Sequence, residues 1–128
     1  MVEIPIITKH HSELQDITEH VRNFIRNNNI QHGICTIFCP HTTAGITINE
    51  NADPDVKADI LRKLGEIIPA HDNYRHIEGN SDAHIKASLM GNSTQVIVEN
   101  GRLILGTWQG IYFCEFDGPR NRKVWITV

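Results

Sequence analysis

The sequence predicts an α+β fold: a mostly antiparallel, sandwich-like β-sheet with two main helices and one short helix. Three observations support this prediction. Apolar and polar residues alternate in several short runs, helical apolar stripes fall between those runs, and hairpin turn residues fill the last third. Strands and helices grouped in this way are typical of α+β proteins. With 128 residues, we expect a single domain spanning residues 1–128.

The first strand and the first helix are predicted at the start of the chain. Val2–Thr8 alternates, and Pro5 favours a position at a sheet edge because proline cannot donate to a neighbouring strand. Asp16 and Glu19 have the spacing of a capping box at a helix start. The apolar stripe of this helix follows at helical spacing: Ile17, Val21, Phe24 and Ile25.

Two strands and the second helix come next. Gly33–Cys39 is apolar on both faces and predicts a central strand. Thr43–Asn49 alternates, which predicts a second strand with one face in the core. Asp53 as cap and Pro54 as first residue predict a helix start, and Pro69 closes that segment.

The polar stretch 71–82 predicts a long loop, and loops of this length are often functional. A short helix should follow, capped by Ser81 or Asp82 and ended by Gly91. Its predicted interior residues are Ile85, Ala87, Leu89 and Met90.

The last third predicts a β-meander. Asn100-Gly101 is a strong hairpin signal, because a type I′ turn requires two residues with positive φ. The predicted strands are Thr94–Glu99, Arg102–Leu105, Ile111–Phe116 and Lys123–Val128.

Composition narrows the function classes. The net charge of −3 argues against sequence-independent nucleic-acid binding, which requires a basic surplus. No apolar run approaches the length of a membrane span, and the first residues do not have the pattern of a signal peptide. Cys35 and Cys39 would lie about 13 Å apart along a strand, too far for a disulfide. We therefore expect reduced cysteines and a cytoplasmic protein.

Histidines close to acids are the main candidates for chemistry. The groupings are His41 with Glu50 and Asp53, His76 with Glu78, and His84 with Asp82. A spacing of two places both side chains on one face of an extended chain. Imidazole and carboxylate together suit a divalent ion or general acid–base catalysis. The alternative is that His76 and His84 are exposed residues of a loop and a helix start.

Basic residues offer sites for an anion. Lys86 lies in the short helix, whose N-terminus favours negative charge. Arg120 follows a Gly-Pro bend and is suited to bidentate phosphate contact. For Arg122 and Lys123, a solvated turn is the favoured interpretation.

Two further features have competing interpretations. Trp108 and Gln109 lie between glycines, which fits either a backbone shaped around a ligand or a tight turn. Cys39 precedes Pro40-His41 and could form a thiolate beside an imidazole. A cysteine in an apolar strand is more often a small buried hydrophobic residue. Asp53 is likewise better explained as a helix cap than as a site residue.

Three segments carry a resemblance to a known family. "HTTAGITINENADPDV", "EGNSDAHIKASLMG" and "STQVIVENGRLILGTWQGI" resemble the YjbQ-like family, also called secondary thiamine-phosphate synthases. The resemblance extends over essentially the whole chain. It implies an α+β β-sandwich fold assembled as a homotrimer.

The resemblance also implies an activity and site residues. The activity joins hydroxymethylpyrimidine diphosphate to thiazole phosphate and releases pyrophosphate. The polar positions that it implies are His41, Thr42, Asn49, Glu50, Asn51, Asp53, His76, Glu78, Asp82, His84, Trp108, Gln109 and Arg120. From the chemistry of the side chains themselves, we expect catalysis by His41, Glu50, His76 and His84. On the same ground we expect substrate contacts from Thr42, Asn49, Asn51, Lys86, Trp108, Gln109 and Arg120. A divalent ion, zinc or magnesium, would be held by His41, His76, Glu78, Asp82 and His84.

Two alternatives compete with this transferase. One is a trimeric protein that binds a metal or a small molecule without turnover. The other is a metal-dependent hydrolase, which requires histidines that hold Zn²⁺ with one open position.

Overall fold

The computed structural model describes residues 1–128 and contains eight strands and three helices. The strands are β1 Val2–Ile7, β2 Glu13–Asp16, β3 His32–Phe38, β4 Ala44–Glu50, β5 Ser93–Glu99, β6 Arg102–Leu103, β7 Gln109–Glu115 and β8 Asn121–Thr127. The helices are α1 Thr18–Asn27, α2 Pro54–Ile67 and α3 Ser81–Met90. None of these helices combines the length and the apolar character needed to cross a membrane.

The strands form two antiparallel sheets, which confirms the predicted α+β class. A five-stranded sheet has the order β1-β8-β3-β5-β6, and a three-stranded sheet has the order β2-β7-β4. β1 is an edge strand, so the missing N–H of Pro5 costs no interior ladder bond. β3 is central, as predicted, but Ile34 is 47% exposed and one face of that strand is open.

The main core lies between α1 and the two sheets. It is a cluster of 15 buried residues that includes Val21 and Ile25 from α1, Ile37 from β3 and Phe113 from β7. A second cluster on the other face of β7 packs Tyr112 and Cys114 against α3. β7 is therefore covered on both faces and fixes the positions of the elements around it.

Two strand predictions are wrong. β2 was not predicted, because its four residues lack a clear alternation; it pairs with β7. The last third is not a simple meander, because β7 lies in the three-stranded sheet while β8 pairs with β1 and β3 in the five-stranded sheet. The turn from Asp117 to Arg120 therefore carries the chain from one sheet to the other.

The helix caps agree with the sequence in part. Asp53 accepts a hydrogen bond from the Asp55 amide at 2.9 Å, with Pro54 opening α2 as predicted. The capping box of α1 is wrong, since Asp16 accepts from the Thr18 amide at 2.9 Å and not from residue 19. The cap of α3 is Asn80, one residue earlier than expected.

The buried face of α3 also differs from its apolar pattern. Ile85 and Leu89, predicted to be interior, are 41% and 64% exposed. Asp82 and Lys86 are instead buried, and they form an ion pair at 3.0 Å. Their mutual neutralisation allows charged side chains to lie in the interior, which a purely apolar pattern does not predict.

The turn and cysteine predictions are confirmed. Asn100 and Gly101 have φ values of 52° and 74°, as a type I′ turn requires. Cys35, Cys39 and Cys114 are free and buried. Burial raises the pKa of the Cys39 thiol to about 11, so this side chain behaves as a small hydrophobic residue.

A buried ion pair joins the two sheets. Glu115 of β7 accepts hydrogen bonds from Thr8 Oγ1 at 2.7 Å and from Arg122 Nε at 2.9 Å. Its second carboxylate oxygen accepts from another Arg122 nitrogen. Arg122 of β8 also donates to Thr43 Oγ1 at 2.8 Å. Arg122 is therefore not a residue of a solvated turn, as the sequence suggested, but part of the interior.

The surroundings of Glu115 set its ionisation. Burial by itself would raise the pKa of this carboxyl. The hydrogen bonds from Arg122 and Thr8 outweigh burial, and the pKa lies below its usual value. The ionised pair therefore stabilises the fold fully above pH 4.5, the ordinary pKa of this carboxyl group. The stabilisation is lost as the pH falls through the lower pKa that the carboxyl has in the folded state.

We predict that Glu115→Gln lowers the free energy of unfolding by about 3–5 kcal/mol, because it leaves the buried Arg122 charge unpaired. The measurement is urea unfolding at pH 7, followed by circular dichroism. The matched control is Glu66→Gln, which removes an exposed ion pair with Arg62 and should change stability by less than about 1 kcal/mol. Equal effects of the two substitutions would contradict a structural role for the buried pair.

Candidate functional site

A polar cleft lies where the β3–β4 connection, the loop before α3 and the β7–β8 turn meet. Its volume is about 380 Å³, and no hydrophobic side chain lines it. The lining residues are Pro40, His41, Thr42, Thr43, Glu78, Asn80, His84, Asp117, Arg120 and Arg122. Residues far apart in sequence are thus brought together by the ends of strands from both sheets.

A second cleft adjoins the first along α3. It has a volume of about 590 Å³ and shares His41, Thr42 and His84 with its neighbour. Its other side is formed by Ser88 and Asn92 together with small residues. We call the two adjoining clefts together the histidine cleft.

His41 is held in the neutral state. The Lys123 amide donates to Nε2 of His41 at 3.0 Å, which requires the lone pair of that nitrogen. The remaining ring proton is therefore on Nδ1. Burial lowers the pKa of His41, and the positive charge of Arg122 lowers it further. The ring meets Phe113 edge to face at 6.5 Å between centroids, which fixes its orientation.

His76 and His84 are in contact. Their ring centroids are 5.5 Å apart and the rings are nearly perpendicular. Glu78 Oε2 lies 3.7 Å from His76 Nε2, close enough for an ion pair when the imidazole is protonated. The first turn of α3 positions His84, and the preceding loop positions the other two residues. All three predicted histidines, 41, 76 and 84, therefore lie in or beside one cleft.

The Asn80 side chain has one unsatisfied atom. Its Nδ2 donates to Asp117 Oδ2 at 2.9 Å, whereas its buried Oδ1 has no hydrogen-bond partner. Arg120 also donates to Asp117 Oδ2, at 3.1 Å, and its side chain is 54% exposed. A buried acceptor without a donor is costly, about 1–3 kcal/mol. This atom in the wall of the cleft is therefore suited to a donor from a ligand or from water.

Asp82 and Lys86 do not take part in the cleft. They are paired with each other and buried, and neither lines it. Within one chain, no group of three or more histidine, cysteine or acidic side chains is arranged to hold a metal ion. The predicted ligand set of His41, His76, Glu78, Asp82 and His84 is therefore not assembled in one chain.

The remaining predicted residues lie at the opposite end of β4. In the register of β4 and β7, Asn49 faces Gly110 and Glu50 faces Gln109. Six strand residues at about 3.3 Å each place this end about 20 Å from the start of β4. His41 and Glu50, which the sequence groups together, are thus separated by the length of β4 within a single chain.

This second group of polar residues is engaged in local contacts. Asn51 donates from its amide to the Trp108 carbonyl at 2.9 Å. The side chain of Gln109 accepts from the Gly106 amide at 2.8 Å, which is the tight-turn alternative for that residue. Trp108 itself is 61% exposed and free to contact another molecule.

In the first of the two adjoining clefts, sequence reasoning missed four polar residues: Thr43, Asn80, Asp117 and Arg122. Asn80 had a detectable signal, since asparagine before Ser81 is a good helix cap. The others depend on the crossing between the sheets, and no local pattern predicts that crossing.

The fold and the cleft define a class: a single α+β domain of two antiparallel sheets with an imidazole-rich polar cleft at one end. The family model described as "UPF0047 protein YjbQ-like" matches residues 2–128. The chain belongs to this YjbQ-like UPF0047 family.

Individual relatives agree with this assignment. UPF0047 protein YugU of Bacillus subtilis is 60% identical over 126 residues, covering 98% of this chain and 96% of the relative. A crystal structure of a YjbQ/UPF0047 protein from Clostridium acetobutylicum has 56% identity and a TM-score of 0.98, covering 99% of this chain and 98% of that one. A Sulfolobus solfataricus structure, described as YbjQ-like and of unknown function, has 36% identity and a TM-score of 0.93, with coverages of 98% and 92%.

We predict that His41 titrates below 6.5, the ordinary value, and carries its proton on Nδ1 at pH 7. As the pH falls, this imidazole is protonated at a higher pH in the unfolded chain than in the folded one. Protonation therefore favours the unfolded state, and the residue lowers the stability of the fold below pH 6.5. Nitrogen-15 NMR of the imidazole ring measures both the tautomer and the titration. A ring protonated on Nε2 would contradict the contact with Lys123, and titration at or above the ordinary value would contradict the effect of burial and of Arg122.

Proposed function

We propose that the histidine cleft binds a phosphorylated aminopyrimidine and that the chain is a transferase. The reaction joins hydroxymethylpyrimidine diphosphate to thiazole phosphate and releases pyrophosphate. The observation that carries this proposal is the buried Oδ1 of Asn80, which has no donor. The exocyclic amine of the pyrimidine supplies one, and the diphosphate then lies towards His84 and Arg120.

The reaction requires little proton transfer. The thiazole nitrogen attacks the methylene carbon of the pyrimidine, the carbon–oxygen bond breaks, and pyrophosphate leaves with the electron pair. Stabilising the developing charge on that leaving group is the main task of the protein. In this proposal Arg120 takes this role together with a donating imidazole, either His84 in the cleft or His76 beside it. The neutral His41 donates from Nδ1 without adding charge to the cleft.

Homotrimer formation is the second part of the proposal. Asn49, Glu50, Asn51 and Trp108 lie about 20 Å from the histidine cleft in one chain, so a neighbouring copy must supply them. Ile77 is 96% exposed and Leu89 is 64% exposed, and both are close to His76 or His84 in sequence. Large apolar side chains with this exposure support an interface at the cleft.

No step of this reaction is assigned to a metal ion. Asp82 is already neutralised by Lys86, and one chain holds no group of three donors. The zinc or magnesium site stays a prediction, which a second chain would have to complete. The hydrolase alternative requires such a group of donors, which a single chain does not assemble.

One observation favours a second candidate, a small-molecule binding protein without turnover. Arg120 and Arg122 are both paired with acids of their own chain, Asp117 and Glu115. Less free positive charge is then left to stabilise a departing pyrophosphate.

We predict that the protein releases pyrophosphate from the two substrates and that His84→Ala lowers kcat by at least about 100-fold, the usual contribution of a proton-donating side chain. The measurement is a coupled pyrophosphate assay, with substrate binding followed by calorimetry. The control is His20→Ala, an exposed residue of α1 outside the cleft. Substrate binding that depends on His84 without turnover would establish the binding protein instead, and absence of binding would contradict both functions.

We predict a mass of three chains in solution, because the trimer brings the two ends of β4 from different copies together. Light scattering coupled to gel filtration measures this mass. Leu89→Glu places a charge in the proposed interface and should shift the protein towards the single-chain mass. A single-chain mass for the unmodified protein would remove the trimeric site.

A further inference from the structure

A further cleft, separate from the histidine cleft, lies at the other end of the protein between α1 and the β5–β6 hairpin. Its volume is about 560 Å³, and it shares no lining residue with the histidine cleft. Its charged residues are Arg22, Arg26 and Arg102, and its apolar residues are Ile25, Ile30 and Leu103. We call it the arginine cleft. Its volume falls in the range typical of small-molecule sites.

Positive charge in the arginine cleft is only partly neutralised. Arg22 pairs with Glu19 one turn earlier on α1. Arg26 donates to the neutral amide oxygen of Asn23 at 2.9 Å. Neither Arg26 nor Arg102 forms an ion pair with any acid of the chain. Two unpaired guanidinium groups at one cleft contrast with the net charge of −3 of the whole chain.

The backbone around the arginine cleft is held by specific contacts. The Gly101 amide donates to the Gln31 carbonyl at 3.0 Å, which ties the β5–β6 turn to the segment after α1. Asn29 and Asn100 have positive φ values of 51° and 52°, so each turns the chain sharply at the rim. The two arginines are therefore attached to a preorganised frame, which reduces the entropy lost on binding.

The apolar residues give the cleft a second kind of surface. Ile25 is 2% exposed and belongs to the main core, and Ile30 and Leu103 pack against that core. They form a fixed apolar side beneath flexible guanidinium groups. This combination suits a ligand with an anionic group and an uncharged ring or chain. Arginine is the side chain best matched to the paired oxygens of a phosphate.

We propose that the arginine cleft is a binding site for a small molecule carrying a phosphate or diphosphate group. Arg26 and Arg102 bind the phosphate oxygens, and Ile30 and Leu103 contact the rest of the ligand. The site is separate from the proposed transferase site and does not depend on it. The two sites can therefore be tested independently in the same protein.

The experiment is a titration of nitrogen-15-labelled protein with inorganic pyrophosphate, followed by amide NMR shifts. We expect saturable shifts at the amides of Asn29, Gly101 and Arg102. Replacing both arginines, Arg26→Gln with Arg102→Gln, should weaken this binding by at least about 10-fold, because charge-assisted hydrogen bonds to phosphate are stronger than neutral ones. The matched control is Arg62→Gln, an exposed arginine of α2 outside the arginine cleft, which should leave the affinity unchanged.

Separate outcomes identify the two sites. Shifts confined to amides around His41 and His84 would place pyrophosphate in the histidine cleft and overturn the proposal. Equal affinity of the double variant and the unmodified protein would overturn it as well. Arg102→Lys provides a further check, because it keeps the charge and removes the bidentate geometry; it should bind more tightly than Arg102→Gln but less tightly than the unmodified protein.

Discussion

The buried pair of Glu115 and Arg122 is the interaction on which the architecture depends. Glu115 ends a strand of one sheet and Arg122 lies near the start of a strand in the other, so their hydrogen bonds connect the two sheets at one end. Thr8 and Thr43 add contacts from two further segments. With both charges inside the protein, the geometry of the pair must be close to ideal, which leaves little freedom in how the sheets meet.

The chemistry of the histidine cleft follows from this connection. Arg122 is one residue before Lys123, whose amide donates to His41. Thr43, which accepts from Arg122, is two residues after that histidine. Alternation along β8 thus directs one residue to the buried pair and presents the next backbone N–H to the imidazole. Two neighbouring residues of β8 thus serve both features: Arg122 carries the buried charge, and the amide of Lys123 holds the imidazole of His41.

Sequence reasoning succeeded where local chemistry decides the structure. The cap at Asp53 and the turn at Asn100-Gly101 depend on contacts within a few residues, and the edge position of Pro5 and the stripe of α1 follow from residue type and spacing. His41 and His84 line one cleft and His76 contacts His84, while their shared chemical role stays a prediction. Failures occurred where distant partners decide the structure, as with the buried Arg122.

The same limit explains two other failures. Ile85 is exposed because Asp82 and Lys86, paired with each other, share the buried face of α3 with Ala83 and Ala87. The grouping of His41 with Glu50 and Asp53 rests on their closeness in sequence. Because an extended strand rises by about 3.3 Å per residue, residues only a few positions apart in sequence can lie far apart in space.

The edges of the five-stranded sheet have a consequence for self-association. One edge carries Pro5, and the other is β6, which has only two residues and begins with the charged Arg102. Short, charged and proline-containing edges resist the addition of a foreign strand, and with it the growth of fibrils. Unwanted polymerisation through the larger sheet is thereby blocked, and the smaller sheet, edged by β2 and β4, is left as the place where strand addition between copies would begin.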